Sequence, residues 1–185
     1  MSGRAATPRS GATVWLTGLP SAGKSTIARA AAERLRAAGR QVEVLDGDEI
    51  RTELTADLGF SREDRITNVR RIGFVAAVLA RNGVLALVPV IAPYAEARDA
   101  VRAKHAADGS TYLEVHIATP VEECAARDVK GLYAKQRAGE LSGLTGVDDP
   151  YEIPEKPDLR LDTSGNTLDD SVAAVLGLLS EHGLL

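Results

Sequence analysis

One stretch of the sequence, TGLPSAGKST at residues 17–26, constrains the fold more than any other. Residues 18–25 match the pattern G-x-x-x-x-G-K-[ST], in which backbone N–H groups and the following helix surround phosphate groups. The apolar run TVWLTG at 13–18 is typical of a buried strand, and apolar residues recur at helical spacing from Lys24 to Ala38. A strand, a loop and a helix in this order predict the phosphate-binding unit of a parallel α/β sheet.

Each residue type in this loop suits a nucleoside triphosphate, and ATP is the expected one. Glycine permits backbone angles and a close approach that a Cβ would block. Lys24 would place its cation on the β- and γ-phosphates, and Ser25 would give an oxygen to Mg²⁺, the expected cofactor. An ordinary turn capped by serine is the alternative, and the matching strand and helix argue against it. The predicted ATP-binding residues in the loop are Gly18, Leu19, Pro20, Ser21, Ala22, Gly23, Lys24, Ser25 and Thr26.

The remainder of the chain alternates apolar, strand-like runs with helical patterns. We predict further strands at 41–48, 84–93, 111–118 and 159–163, and helices at 24–38, 62–82, 95–107, after Pro120 and from Leu168. This alternation predicts an α/β fold of the P-loop NTPase type, a parallel sheet with helices on both faces. Ligands of such sheets bind beyond the carboxyl ends of the strands. Residues 13–185 would form a single domain after a mobile N-terminal arm at 1–12.

Composition limits the classes of function. The 185-residue chain is 44% hydrophobic and 26% charged with a formal net charge of −4, which is typical of a soluble globular protein and not of a general nucleic-acid binder. No apolar run approaches the roughly 18–20 residues of a membrane span, and the N-terminus lacks the apolar segment of a secretory signal. A single cysteine, Cys124, excludes an intramolecular disulfide and a cysteine-cluster metal site. We expect a cytoplasmic protein without nucleic-acid or membrane partners.

The segment at 130–157 interrupts the alternation. It is rich in glycine, proline and charge, and it lacks a sustained apolar stripe. A stretch this long with little regular structure is usually a lid or a disordered segment. We predict a lid, because apolar residues that could anchor it remain: Leu132, Tyr133, Leu144, Tyr151 and Ile153.

Two carboxylates, Asp46 and Asp48, close the second predicted strand in the stretch LDGDEIR. Acids at a strand end can serve a metal ion or accept a proton from an attacking hydroxyl group. We predict that Asp46 completes the Mg²⁺ shell through water and that Asp48 is the general base, with Asp46 as the fallback. The alternative is that Asp48 only caps a short helix from Glu49 onward, which would explain one acid and not two.

Two polar side chains face inward on the predicted helix 62–82. At about 100° per residue, Arg65 and Asn68 fall within the apolar stripe, whereas Arg70 and Arg71 fall on the solvent side. A buried guanidinium group is costly unless an anion pairs with it, so Arg65 favours an anionic second substrate. The alternative is that Arg65 pairs with Glu63 or Asp64 nearby in the sequence, or that the first turn is frayed.

Two further residues would help to bind this second substrate. Arg51 follows the acid pair and would bring a second guanidinium group, which suits fork-like contacts to an anion. Phe60 lies in the loop before the helix, where an aromatic ring can stack on a base or act as a core anchor.

Taken together, these pieces resemble the adenylyl-sulfate kinase family. The resemblance is carried by GLPSAGKST, DGDEIR, LGFSREDRITNVRRI, IAPY followed by RD, ARDVKGLYAKQRAGE and TGVDDPYE, which spread over about residues 13–163. The phosphate loop is shared with many kinases, but the other motifs are much more specific. The resemblance implies a single P-loop kinase domain, commonly a homodimer. It also implies that ATP and Mg²⁺ serve to phosphorylate the 3′-hydroxyl group of adenosine 5′-phosphosulfate (adenylyl sulfate).

The same resemblance implies residue roles. Phe60 would stack on the adenine of adenylyl sulfate, Arg127 would lie near the adenine of ATP, and the segment from Lys130 would close over the acceptor. The implied acceptor-binding residues are Asp46, Arg51, Phe60, Arg65, Asn68, Ile91, Lys130 and Leu144. The catalytic residues would be Asp48, Asp46 and Lys24.

Three positions depart from the family pattern. Ala92 stands where many members have a serine that has been proposed as a phosphorylated intermediate, so direct in-line transfer is the remaining route. Leu144 replaces a phenylalanine, which leaves the acceptor adenine with an aromatic ring on one side only. Glu49 replaces an asparagine and adds an anion beside the nucleotide.

Two other classes stay open on the residues alone. Another small-molecule kinase of the same fold, acting on gluconate, shikimate or a nucleotide, would share the phosphate loop. A nucleotide-dependent switch would use hydrolysis for signalling, although the N-K-x-D motif of a GTPase is absent from the sequence.

Overall fold

The structure, a computed structural model, describes residues 10–185, so the arm predicted at 1–12 lies mostly outside the described residues. The strands in the described range are β1 Ala12–Gly18, β2 Val42–Val44, β3 Leu85–Pro89, β4 Thr111–Ile117 and β5 Leu159–Leu161. The helices are α1 Lys24–Ala37, α2 Gly47–Glu53, α3 Arg62–Arg81, α4 Ala95–Ala107, α5 Val121–Arg127, α6 Leu132–Arg137 and α7 Leu168–Glu181. Within residues 10–185, no helix is long and apolar enough to cross a membrane.

The strands form one sheet in the order β2-β3-β1-β4-β5, and all of its pairings are parallel. At its centre, Val14 of β1 is aligned with Leu87 of β3 on one side and with Leu113 of β4 on the other. The chain visits β2 and β3 on one side of β1 before it crosses to β4 and β5. Ligands bind at the carboxyl ends of strands beside such a reversal, and the phosphate loop begins there, directly after β1.

Alternating side chains divide the core into two layers. Val14 and Leu16 of β1 belong to a hydrophobic cluster with residues of α1 and α7, whereas Trp15 belongs to a second cluster with residues of α3 and α4. This alternation follows from the two-residue period of a strand. The predicted fold class, a parallel sheet of the P-loop NTPase type with helices on both faces, is confirmed.

Helix α3 follows the predicted apolar stripe. The stripe residues are buried in the second cluster or pack against it: Ile66, Val69, Ile72, Ala76 and Leu79. The helix begins after Ser61, whose side chain accepts the N–H of Asp64 at 3.1 Å. This cap satisfies one of the N–H groups that lack a partner in the first turn.

The short helix after β2, which the sequence favoured only as an alternative, is present. Helix α2 begins at Gly47, and its N-cap is Asp46, whose side chain accepts the N–H of Asp48 at 3.2 Å. The capping acid therefore lies two residues earlier than the alternative had it. The second strand ends at Val44 and not at residue 48, because the residues after Leu45 enter this cap and helix.

The lid segment, residues 130–157, is more ordered than predicted. It contains helix α6 and a turn closed by a bridge between Thr145 and Asp149. Tyr133 and Leu144 are buried, in agreement with their prediction as anchors. Ile153 is 66% exposed, so its prediction as an anchor was wrong. Hydrogen bonds fix the main chain just before it and leave its side chain on the solvent side.

Helices α3 and α4 of the second layer approach closely at Gly73. A Cβ at this position would lie 2.4 Å from Cγ2 of Val101, well inside van der Waals contact. We expect Gly73→Ala to lower the free energy of unfolding by about 1–2 kcal/mol, since the overpacking cost exceeds the gain in helix propensity. Urea unfolding measures this change.

Gly177 of α7 provides the matched control. A Cβ there meets nothing within 4 Å, so Gly177→Ala should raise the free energy of unfolding by about 0.5–1 kcal/mol through helix propensity alone. A Gly73→Ala protein as stable as Gly177→Ala would contradict the close contact between α3 and α4.

Candidate active site

A cleft of about 780 Å³ opens at the carboxyl ends of the strands. It is lined by the phosphate loop, the residues after β2 and β3, the start of α3 and the residues after β5. Its size falls within the range of small-molecule sites in proteins. The cleft brings together most of the predicted site residues: Pro20, Ser21, Gly23, Lys24, Ser25, Thr26, Asp46, Asp48, Arg51, Phe60, Arg65, Asn68, Ile91, Arg127 and Lys130.

The phosphate loop enters helix α1 through Gly23. This residue has a φ of 104°, in the left-handed region that favours glycine. It is also the N-cap of α1, and as a glycine it has no side chain with which to cap the helix. The first N–H groups of α1 have no carbonyl partner within the helix. They can therefore bind a phosphate together with the positive end of the helix dipole.

Carbonyl oxygens of the loop, by contrast, are bound by side chains from distant parts of the fold. The Tyr133 hydroxyl group of α6 donates to the Pro20 carbonyl at 3.0 Å. The Thr119 hydroxyl group, just after β4, donates to the Ala22 carbonyl at 3.0 Å. Both hydrogen bonds are buried. Because a free carbonyl oxygen would repel a phosphate, the binding of these two carbonyls elsewhere favours a phosphate in the loop.

Lys24 holds the start of the loop. Its side chain donates to the Gly18 carbonyl at 2.9 Å and to the Leu19 carbonyl at 2.6 Å. The residue is buried, and burial lowers the pKa of Lys24 to about 8. A phosphate group in the loop would give this ammonium group the counter-charge that favours its protonated form.

The two predicted catalytic acids have different surroundings. The Asp46 side chain is 8% exposed, and Oδ2 accepts Nη2 of Arg29 at 2.9 Å in addition to the capping bond. The Asp48 side chain is 72% exposed and pairs with the ammonium group of Lys130 in the lid segment. Asp46 is therefore fixed in place, whereas Asp48 can move. The sequence did not point to Arg29, which reads as a polar residue on an amphipathic helix.

The cleft offers oxygen ligands that suit Mg²⁺. Among residues 10–185, no three His, Cys, Asp or Glu side chains gather into a group that could hold a metal ion. A nucleotide-bound Mg²⁺ needs only one or two protein oxygens, since phosphates and water supply the others. The Ser25 hydroxyl group and the Asp46 carboxylate line the cleft together, and both are hard oxygen ligands.

An exposed aromatic ring and two arginines lie across the cleft from the loop. Phe60 is 71% exposed, and the guanidinium carbon of Arg51 lies 4.5 Å from the ring centre. Partial burial and the charge of Arg65 lower the pKa of Arg51, so an anion beside both guanidinium groups would be favoured. Asn68 accepts the Thr55 hydroxyl group on Oδ1 at 2.7 Å, which leaves its amide N–H groups for a ligand.

Arg65 points inward, as the helical geometry predicted, and its side chain is 11% exposed. Nη2 donates to the Gly143 carbonyl at 2.8 Å, and Nη1 donates to the Thr145 hydroxyl group at 3.1 Å. Oδ2 of Asp149 lies 3.6 Å from Nε. The residue pairs with an acid of the lid segment, which the sequence reading had not considered. Arg65 therefore joins the start of α3 to the lid segment.

Arg127 lies at the side of the cleft formed by the residues after β5. Nη1 donates to the Thr163 hydroxyl group at 2.8 Å, and Nη2 donates to the Thr163 carbonyl at 3.2 Å. The cleft continues along Asn166, Leu168 and Ser171 at the start of α7. The sequence reading missed these residues. The rule that ligands lie beyond strand ends could have indicated Thr163, but the others read as an ordinary helix start.

Four predicted binding residues do not line the cleft. Gly18 and Ala22 lie behind the loop surface, and Leu19 lines a separate pocket with residues 146–151. Leu144 is 5% exposed and belongs to the first hydrophobic cluster. The structure therefore does not bring Leu144 to the predicted acceptor site, because its apolar side chain packs into the core at the base of the lid turn.

Several known proteins of one family are similar to this chain over most of its length. A sequence profile of the adenylylsulphate kinase family matches residues 10–162. The adenylyl-sulfate kinase of Picosynechococcus sp. is 51% identical over 175 residues, which cover 95% of this chain and 97% of that protein. The probable adenylyl-sulfate kinase of Synechocystis sp. is 54% identical over 165 residues, which cover 89% and 91%. The solved APS kinase of Mycobacterium tuberculosis in complex with AMPPNP and APS has a TM-score of 0.90 at 48% identity, covering 94% of this chain and 99% of that one.

The lowered pKa of Lys24 predicts that phosphate binding is coupled to proton uptake. A bound triphosphate raises this pKa from about 8, so affinity should fall as the pH rises through that value. We expect ATP, without an acceptor, to take up roughly 0.5–0.8 of a proton per site near pH 8.5 and almost none near pH 6.5. Isothermal titration calorimetry in buffers of different ionisation enthalpy measures this uptake.

Lys24→Arg is the control, because a guanidinium group stays charged throughout this pH range. The variant should bind ATP without the uptake near pH 8.5. Equal uptake by the two proteins would assign the proton to another group and contradict the prediction.

Proposed function

The chain belongs to the adenylyl-sulfate kinase family, and on that premise we propose that it transfers the γ-phosphoryl group of ATP to the 3′-hydroxyl group of adenylyl sulfate. One observation carries the proposal: a single cleft joins the phosphate loop to Phe60, Arg51 and Arg65. A phosphate loop fits any kinase of this fold. A ring that can stack on a base, beside two cations, suits an acceptor that is itself an anionic nucleotide. The other small-molecule kinases and the nucleotide switch are not favoured.

On the donor side, the loop N–H groups and Lys24 would hold the β- and γ-phosphates of ATP. Arg127 and the start of α7 would flank its adenine. The fold holds the loop without a ligand, so its N–H groups would need little reorganisation as charge develops during transfer. Mg²⁺ would be held by Ser25 and, through water, by Asp46, and when bound it would neutralise phosphate charge.

On the acceptor side, Arg51, Arg65 and Asn68 would hold adenylyl sulfate with its 3′-hydroxyl group in line with the γ-phosphorus. Asp48 accepts the hydroxyl proton. The acceptor oxygen then bonds to the γ-phosphorus while the bond from this phosphorus to the β–γ bridging oxygen breaks, and ADP leaves. Most of the acceleration would come from position and charge stabilisation. Ala92 carries no hydroxyl group, so no phosphoenzyme forms at that position.

The lid segment would complete the site. Its Lys130 is paired with Asp48 in this structure. An anionic acceptor would offer Lys130 a second partner, and this exchange would release Asp48 to receive the proton. Closure of the segment over the acceptor would exclude water, which otherwise competes for the phosphoryl group.

Two further expectations come from the sequence, one from the family resemblance and one from composition. We expect a homodimer, which light scattering after size-exclusion chromatography would test. We also expect a cytoplasmic location, which fractionation of cells that produce the protein would test.

The proposed reaction predicts acceptor-dependent release of ADP. With ATP and Mg²⁺, adenylyl sulfate should support rapid ADP release, and gluconate, shikimate or AMP should leave the rate near its value without an acceptor. A coupled assay measures ADP, and mass spectrometry should find the 3′-phosphorylated nucleotide in equal amount. Preference for another acceptor, or equal release without any acceptor, would overturn the proposal.

The two acids should respond differently when each is replaced by asparagine. Asp48→Asn removes the proton acceptor and should lower kcat by about 10²–10⁴-fold. Its Mg²⁺ dependence and melting temperature should stay unchanged, because the side chain is exposed. Steady-state kinetics over a range of Mg²⁺ concentrations, with thermal unfolding, gives these quantities.

Asp46→Asn is the matched variant. Asparagine keeps the N-cap of α2, so the fold should persist, but loss of the charge should raise the Mg²⁺ concentration for half-maximal rate. If kcat at saturating Mg²⁺ fell strongly in Asp46→Asn and stayed unchanged in Asp48→Asn, Asp46 and not Asp48 would be the general base.

A further inference from the structure

The loop after β3 forms part of the cleft, and side chains bind the carbonyl groups of two of its residues. Ile91 and Ala92 both line the cleft. The Ile91 carbonyl accepts the Thr17 hydroxyl group at 2.5 Å, and the Ala92 carbonyl accepts Nη1 of Arg98 at 2.7 Å. Ala92 has a φ of 45°, in the left-handed region that alanine seldom adopts. Such a conformation persists only where the surroundings hold it.

The same two side chains hold the end of the lid segment. Because the Thr17 hydroxyl group gives its proton to Ile91, the Tyr151 hydroxyl group donates to Thr17, at 2.9 Å. Nη2 of Arg98 donates to the Glu152 carbonyl at 2.7 Å. The loop after β3 and the lid segment are thus held by shared partners.

Glu152 strengthens this connection. Its N–H donates to the Pro93 carbonyl at 2.8 Å, and its Oε2 accepts the N–H of Ala95 at 2.6 Å. Tyr94, the N-cap of α4, makes no capping bond with its own side chain. A carboxylate from the lid segment therefore caps the helix that carries Arg98.

Arg98 is 3% exposed, and each nitrogen of its guanidinium group has a partner. Nε lies 3.1 Å from Oε1 of Glu114, a buried residue of β4, while the other two nitrogens bind the Ala92 and Glu152 carbonyls. A buried ion pair is costly unless further hydrogen bonds satisfy its members. The planar fork of arginine can reach three separate acceptors, whereas a lysine ammonium group acts as a point charge.

These contacts concern one substrate more than the other. Val90 and Ala92 pack in the second hydrophobic cluster with Val69 of α3, the helix that carries Arg65 and Asn68. The phosphate loop and α1 pack in the first cluster. The loop that Arg98 holds therefore belongs to the acceptor side of the cleft.

Resting on the proposed function, we propose that Arg98 is a positioning residue for the acceptor. Arg98 donates hydrogen bonds to both the Ala92 and the Glu152 carbonyls. It therefore fixes the loop after β3, which lines the acceptor side of the cleft, and the end of the lid segment relative to each other. The Tyr151 hydroxyl group binds Thr17, which in turn binds the Ile91 carbonyl, so Tyr151 supports the same arrangement.

Arg98→Lys tests the proposal. Lysine keeps the positive charge beside Glu114 but cannot join both carbonyls. We expect the KM for adenylyl sulfate to rise by about 10-fold or more and the KM for ATP to stay within about 2-fold, with the melting temperature little changed. Arg102→Lys is the matched control. Arg102 contacts Glu114 at 3.5 Å from the same helix but is 39% exposed, so both KM values should stay near wild type.

A second measurement does not depend on the reaction. Amide hydrogen exchange of the protein without nucleotide should be about 10-fold faster at Ala95 and Glu152 in Arg98→Lys than in the wild type or Arg102→Lys. If the wild-type protein failed to use adenylyl sulfate, the proposed function would fall. Faster exchange at these amides would still support the positioning role.

Tyr151→Phe covers the case in which Arg98→Lys does not fold. It removes only the hydroxyl group that binds Thr17, and it should raise the KM for adenylyl sulfate by a smaller factor, about 3-fold, without changing the KM for ATP. A folded Arg98→Lys protein with wild-type KM for adenylyl sulfate, or an equal rise for both substrates, would overturn the proposal. If Arg98→Lys is unfolded, unchanged acceptor KM in Tyr151→Phe would overturn it.

Discussion

The site depends on one arrangement of the backbone: the first N–H groups of α1 have no carbonyl partner in the helix, while side chains bind four carbonyl oxygens of the phosphate loop. The carbonyl partners come from three places along the chain: Lys24 in α1, Thr119 after β4 and Tyr133 in α6. None of these bonds needs a ligand. The packed fold thus holds the loop without a ligand, and an arriving phosphate would find N–H donors already in place.

The sheet order then separates the two substrates. β1 lies between β3 and β4, so the phosphate loop and the loop after β3 open into one cleft from neighbouring strands. The phosphate loop belongs with α1 on one face of the sheet, whereas Arg65 and Asn68 belong with α3 on the other. Donor and acceptor would meet where the two layers adjoin. Contacts to each substrate thus rest on different parts of the core, and substitutions can affect one substrate without the other.

Local sequence patterns predicted the strands, the helices and the direction of side chains on a helix. The strands follow from apolar runs, and the stripe of α3 and the inward direction of Arg65 follow from the 3.6-residue period of a helix. Contacts between distant segments could not be found this way. Leu144 packs into the core instead of the cleft, Asp46 pairs with Arg29 of α1, and Arg98 reads as one polar residue of an amphipathic helix. In each case a tertiary contact outweighs what the neighbouring residues suggest.

Arg65 shows how the lid segment and the acceptor would act on each other. Three of its N–H groups donate to the carbonyls of Phe60 and Gly143 and to the Thr145 hydroxyl group, and a guanidinium group has about five in all. An acceptor anion can bind the remaining donors without breaking the contacts to the lid segment. The lid segment thus orients the arginine before the acceptor arrives, which lowers the entropy lost on binding. By the reciprocity of linked equilibria, a bound acceptor would stabilise the lid segment to the same extent.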